Sequence, residues 1–106
     1  MSDVQSQIDN LVKSNDVVLF MKGSADQPMC GFSATVVRIL DLVNVPFKDV
    51  NVMMDMGIRE GIKEYSNWPT IPQLYVKGEF IGGCDIVREM YEAGELNDLL
   101  VEKGLV

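Results

Sequence analysis

The chain has 106 residues, 47% of them apolar and 24% charged, with a net charge of −7 and no histidine. This suffices for one soluble globular domain with a single core, residues 1–106, and no apolar run approaches the roughly 18 residues of a membrane span. The acidic balance gives no footprint for nucleic acid, and without histidine the chain has no Cys-His protease, Cys-His acyl-transfer or zinc-hydrolase site of its own.

Val4, Ile8, Leu11 and Val12 recur at helical spacing, so the periodicity predicts a helix over 4–13 behind Ser2 or Asp3 as cap. "DVVLFM", 16–21, reads as a short buried strand that ends before Gly23. After the loop "GSADQPM" a second helix opens at Gly31, with Phe32, Val36, Ile39, Leu40 and Val43 on one side, and stops near Asn44. "FKDVNV" is a second strand. "MGIREGIKEYSN" is a helix carrying Ile58, Ile62 and Tyr65. "QLYV", the turn "KGE" and "FI" form a hairpin behind a loop shaped by Pro69 and Pro72. Two helices close the chain, one capped by Asp85 and stopped by Gly94, the other stopped by Gly104. The order α-β-α-β-α-β-β-α-α implies a parallel first strand pair, joined by a right-handed crossover, and an antiparallel hairpin. The fold class is α/β: a four-stranded mixed sheet flanked by helices, the thioredoxin-like layout.

Cys30 falls at or just before the first turn of the second helix, where unpaired amides and the macrodipole favour negative charge. A cysteine so placed is expected to have a depressed pKa and to be present as the reactive thiolate. Lys22, at the end of the preceding strand, is a second source of positive potential, and Gly31 allows close approach of a ligand to the backbone. The plainer alternative is a buried structural cysteine. The seven methionines, including the run at 53–56, show no metal-box spacing and read as packing and loop residues.

"MKGS" followed by "CGFS", then "WPTIPQLYVKGEFIGGCD", resembles the monothiol glutaredoxins of the CGFS type. The resemblance runs from the "FMKG" strand to the helix that begins at Asp85, and it rests on these motifs in this order and spacing. It implies the glutaredoxin fold and a glutathione site. Lys22 and Arg59 match the cations that face the glycyl carboxylate, and an Arg grips a carboxylate with two hydrogen bonds. Lys63, one helical turn on, is an auxiliary. The Ile71–Pro72 peptide is expected to be cis, presenting the Ile71 backbone to the tripeptide like a short added strand. Gly83, Cys84 and Asp85 would make an anion site at a helix start, with the Asp85 carboxylate also able to meet the ammonium group. On sequence alone the three cations read equally well as solvated charges, Asp85 as a simple N-cap, and Trp68 as partly core.

Ser33 stands where a dithiol enzyme keeps its resolving cysteine, so no disulfide can close within the motif. Two functions follow. In the first, the protein is a carrier of a [2Fe-2S] cluster, which wants four ligands, preferably thiolates. Two Cys30 thiolates from a homodimer and two glutathiones would supply them. The resemblance implies a part in iron-sulfur cluster assembly and delivery, with BolA-type proteins and cluster acceptors as partners. In the second, Cys30 attacks a glutathionylated protein and is reset by a second glutathione, a monothiol oxidoreductase; the resemblance implies that this activity is weak. Cys84 reads either as a resolving thiol for Cys30 or as a packing residue. Two cysteines make no secreted disulfide framework, and the first residues show neither signal-peptide nor transit character. The expected location is cytoplasmic, or organellar where a presequence has been removed.

Overall fold

The computed structural model describes residues 2–106. The order of elements is the one expected: α1 (Asp3–Ser14), β1 (Val17–Met21), α2 (Gly31–Leu42), β2 (Lys48–Asn51), a 3₁₀ turn (Val52–Met54), α3 (Met56–Ser66), β3 (Gln73–Val76), β4 (Glu79–Gly82), α4 (Cys84–Glu92) and α5 (Glu95–Glu102). The four strands form one sheet in the order β2-β1-β3-β4. β1 and β2 run parallel, Leu19 opposite Asp49, whereas β1 pairs antiparallel with β3, and β3 with β4. It is the thioredoxin-like layout expected from the sequence.

The alternation of side chains along β1 explains why a continuous apolar run is needed there. Val17, Leu19 and Met21 enter the core under α2, α4 and α5, while Val18 and Phe20 enter the second core under α1 and α3. β3 divides in the same way, with Leu74 and Val76 on the first side and Tyr75 on the second. The sheet is thus covered on both faces, and only the ends of its strands are left to build a site.

Local chemistry sets the boundaries. The Ser2 hydroxyl caps α1 by accepting the Gln5 N–H at 3.1 Å, and Asp55 caps α3 by accepting from Ile58 N–H at 3.1 Å. Asn44 and Asn67, just beyond α2 and α3, take left-handed φ of 59° and 54° and end those helices. Lys77 and Gly78 both have positive φ, which suits the tight two-residue hairpin turn between β3 and β4.

Three expectations need correction. Asp85 does not cap α4: the N-cap is Gly83, and Asp85 lies in the first turn with its carboxylate 3.2 Å from Arg88 Nη2. Phe32 does not join the core stripe of α2. It is 62% exposed and lines a cleft, while Ser33 and Val37 are buried. The "NVMMD" stretch contains a 3₁₀ turn that was not expected, held by Asn51 Oδ1 accepting from Met53 N–H at 2.9 Å.

Candidate functional site

The C-terminal end of β1, the start of α2, the loop before β3 and the start of α4 meet at one end of the sheet. They enclose a cleft of about 510 Å³. The residues assigned a thiolate or glutathione-binding role from the sequence line it: Lys22, Cys30, Arg59, Lys63, Ile71, Pro72, Gly83, Cys84 and Asp85; Gly31 does not. Phe32, Trp68, Pro69, Thr70 and Ile86 complete the wall.

The loop that presents Cys30 is pinned to β2. Gly23 N–H donates to Asn51 Oδ1 at 3.0 Å and Ala25 N–H to Asp49 Oδ2 at 2.8 Å, while Met29 N–H returns to the Lys22 carbonyl at 2.9 Å. Gly23 is required by this geometry. Its φ is +87°, and a Cβ there would lie 2.5 Å from both the Gln27 carbonyl oxygen and the Met29 nitrogen.

Cys30 is the N-cap residue of α2 and is half-buried. The backbone N–H of Ser33 is the largest influence lowering its pKa; burial pushes the other way, and the Phe32 N–H, the Lys22 ammonium and the Ser33 hydroxyl reinforce the lowering. Ser33 is fully buried, and its Oγ accepts the Lys22 N–H at 3.1 Å. It therefore ties the strand end to the helix start, a role that its position in the motif did not suggest. Cys84 is the opposite case. Burial pushes its thiol up, Asp85 and Cys30 add to the rise, and Arg88 and Thr35 oppose it. Both cysteines are free thiols.

The Ile71–Pro72 peptide is cis. Gln73 fixes the loop around it. This buried amide donates from Nε2 to the Trp68 and Thr70 carbonyls at 3.1 and 3.0 Å, and its Oε1 accepts from Tyr75 OH at 3.2 Å. A polar residue opening the otherwise apolar "QLYV" was the available sign of that role. Trp68 is 37% exposed and lies against Phe80 with ring centroids 6.0 Å apart, so it is part wall and part packing. Gly83 brings the start of α4 close to this loop: a Cβ would meet the Pro72 carbonyl at 3.3 Å and Trp68 Nε1 at 3.5 Å.

The charged residues of the cleft divide into two kinds. Lys63 Nζ is paired with Glu60 at 3.2 Å, and Asp85 with Arg88. Lys22 and Arg59 form no ion pair among the described residues; the guanidinium of Arg59 contacts only the Met56 sulfur, at 3.9 Å. No α4 amide receives a side-chain cap, so that helix start adds to the positive potential. Among the described residues no cluster of three or more His, Cys, Asp or Glu side chains is arranged to hold a metal ion. A single chain thus offers the cleft one activated thiol, two uncommitted cations and an uncapped helix start.

The Glutaredoxin family profile matches residues 17–81, which spans the strand before Cys30, the cis-proline loop and the hairpin. The chain belongs to the glutaredoxin family. Within it, the relatives are the monothiol members. The chain is 57% identical to "Monothiol glutaredoxin-S14, chloroplastic" of Arabidopsis thaliana over 102 residues, 96% of this chain and 58% of that protein. It is 54% identical to "Probable monothiol glutaredoxin 2" of Rickettsia typhi over 96 residues, 91% of this chain and 86% of that one. The chain thus spans rather more than half of the first relative and most of the second. Among solved structures, a buckwheat glutaredoxin in complex with glutathione superposes with a TM-score of 0.85 at 25% identity, covering 97% of this glutaredoxin and 92% of that chain. Among the described residues no helix is long and apolar enough to cross a membrane.

Proposed function

We propose that this glutaredoxin binds glutathione in the cleft and carries a [2Fe-2S] cluster as cargo between two copies of itself. The observation that carries this reading is the isolation of Cys30. It is an activated thiol at the rim of a cationic cleft, and the position that would close a disulfide with it is occupied by a buried serine. In the reading, Lys22 and Arg59 take the glycyl carboxylate of glutathione, with Lys63 as a secondary cation. The main chain at Ile71–Pro72 pairs with the tripeptide. Gly83, Cys84 and Asp85 take the γ-glutamyl end at the start of α4, the amides toward the carboxylate and the Asp85 side chain toward the ammonium. The glutathione thiol then lies beside Cys30.

Two such half-sites provide four sulfur ligands, which suits a [2Fe-2S] cluster. Because two of the four belong to an exchangeable tripeptide, the cluster can be handed on to an acceptor protein, alone or through a complex with a BolA-type protein. The whole chain, residues 1–106, acts as one such domain. A reducing compartment, cytoplasmic or organellar, is required to keep Cys30 free; the name of the Arabidopsis relative gives its own location as chloroplastic. Native mass spectrometry of protein reconstituted anaerobically tests the stoichiometry. Two chains, two glutathiones and one cluster are expected, and a cluster held by one chain or without glutathione would contradict the reading.

The activated thiolate also favours a second reading, glutathione-dependent reduction of glutathionylated proteins. The two separate on one assay. Turnover on a glutathionylated peptide equal to that of a dithiol glutaredoxin, with no cluster formed under reconstitution, would select the second.

A further inference from the structure

Met56 opens α3, is 59% exposed, and places its sulfur 3.9 Å from Arg59 Nη1. Arg59 lines the cleft and has no acidic partner among the described residues. The neighbouring acid on the helix, Glu60, is committed to Lys63, and the Asp55 carboxylate accepts the Ile58 N–H. The sulfur of Met56 is therefore the single side-chain hydrogen-bond or ion-pair partner of this guanidinium among the described residues. A thioether is a weak acceptor, so it rests against the cation without competing for it. Met53, Met54 and Met29 are also exposed, but among the described residues only the Met56 sulfur accepts a hydrogen bond from a cation of the cleft.

We propose that Met56 is a redox-sensitive modification site that controls Arg59: oxidation of its thioether to the sulfoxide by a peroxide converts a weak hydrogen-bond acceptor into a strong one, draws the guanidinium onto α3 and weakens the grip of the cleft on a carboxylate ligand. In the step, a sulfur lone pair attacks one oxygen of hydrogen peroxide, the S–O bond forms as the O–O bond breaks, and the departing hydroxide takes the proton of the transferred oxygen and leaves as water. The sulfide loses two electrons and the peroxide gains them. A sulfoxide reductase reverses the change. The S–O oxygen carries the negative end of a strong dipole, and the sulfur that bears it is 3.9 Å from Nη1. Hydrogen bonds to a charged donor are among the stronger side-chain contacts, so a ligand carboxylate must compete for the same N–H groups.

The proposal rests on the reading of Arg59 as a carboxylate-binding residue of the cleft. Its test is the affinity for S-methylglutathione, which cannot form a mixed disulfide, measured by calorimetry and by fluorescence of Trp68, the sole tryptophan. Wild type and Met56→Leu are measured before and after hydrogen peroxide, with thiols reduced afterwards and the oxidised methionines located by mass spectrometry. Wild type should lose affinity by roughly three- to tenfold on oxidation and regain it with methionine sulfoxide reductase, while Met56→Leu, its thiols likewise reduced, should keep its affinity. An equal loss in Met56→Leu, or unchanged affinity in wild type with Met56 fully converted, overturns the proposal. Arg59→Gln keeps the two claims apart: if it binds S-methylglutathione as well as unoxidised wild type does, the assignment of Arg59 has failed; if it binds weakly but peroxide has no effect on wild type, only the Met56 proposal has failed.

Discussion

At Cys30 the local peptide geometry has more influence than any single charge. The Ser33 N–H lowers the thiol more than the Lys22 ammonium does, and together with the Phe32 N–H and the Ser33 hydroxyl they overcome the opposing effect of burial. Cys84, in the same cleft, is pushed the other way because burial dominates there. The two thiols should therefore titrate on opposite sides of the ordinary value of 9.0. Alkylation of the Cys84→Ser protein should inflect below that value and alkylation of Cys30→Ser above it; coincident inflections would contradict the assignment. The sign for stability follows from linkage. A depressed thiol favours the folded state above its unfolded pKa, and this contribution is lost as pH falls through the folded value. Of the residues that line the cleft, Cys30 and Lys22 were legible because their residue types carry chemistry and their motifs fix their place, and Arg59 because the resemblance pairs it with Lys22. Ser33 and Gln73 were not, since a buried hydroxyl and a buried amide are defined by partners that only the folded chain supplies.

Among the elements, the two loops that shape the cleft depend on single residues. Gln73 satisfies two carbonyls of the Trp68–Thr70 segment and the Tyr75 hydroxyl. Replacing it with Leu leaves those groups without their partner and should lower stability by about 2–4 kcal/mol in urea unfolding; a change under 0.5 kcal/mol, inside the usual range for surface substitutions, would show that the clamp is dispensable. Gly23→Ala forces a Cβ against two backbone atoms at 2.5 Å, neither of which can turn aside as a side-chain tip can. Its expected cost is also several kcal/mol, and Cys30 alkylation should lose its low-pH character in whatever folded protein remains. The elements themselves were readable from apolar periodicity, and their ends from Asn, Gly and Asp caps. The misreadings lie at helix starts. Phe32 continues the apolar pattern of α2 but lines the cleft rather than the core, and Asp85, a good cap residue, lies two positions after the glycine that fills the cap position.

For the molecule as a whole, an acidic chain of net charge −7 keeps Lys22 and Arg59 without an ion pair among the described residues at one end of its sheet, while the third cation of the cleft, Lys63, is paired with Glu60, and Lys13, Lys77, Arg88 and Lys103 are engaged in ion pairs outside the cleft lining. Binding of an anionic tripeptide there should weaken as ionic strength rises, and less so in Lys22→Gln, where part of the attraction has been removed; salt-independent affinity would argue against an electrostatic cleft. The overall layout was legible because the strand-helix alternation and the hairpin leave few topologies. In the proposed reading one chain supplies a single ligand to the cluster, since Cys84 is buried and pushed toward the neutral thiol while Cys30 is half-buried with its pKa lowered. The central claim is therefore that Cys30 and glutathione together hold the cargo. It is tested most directly by the visible absorption spectrum after anaerobic reconstitution with iron, sulfide and glutathione. A [2Fe-2S] spectrum is expected from the wild type with glutathione and neither from Cys30→Ser nor from wild type without glutathione; full cluster occupancy in Cys30→Ser would contradict it.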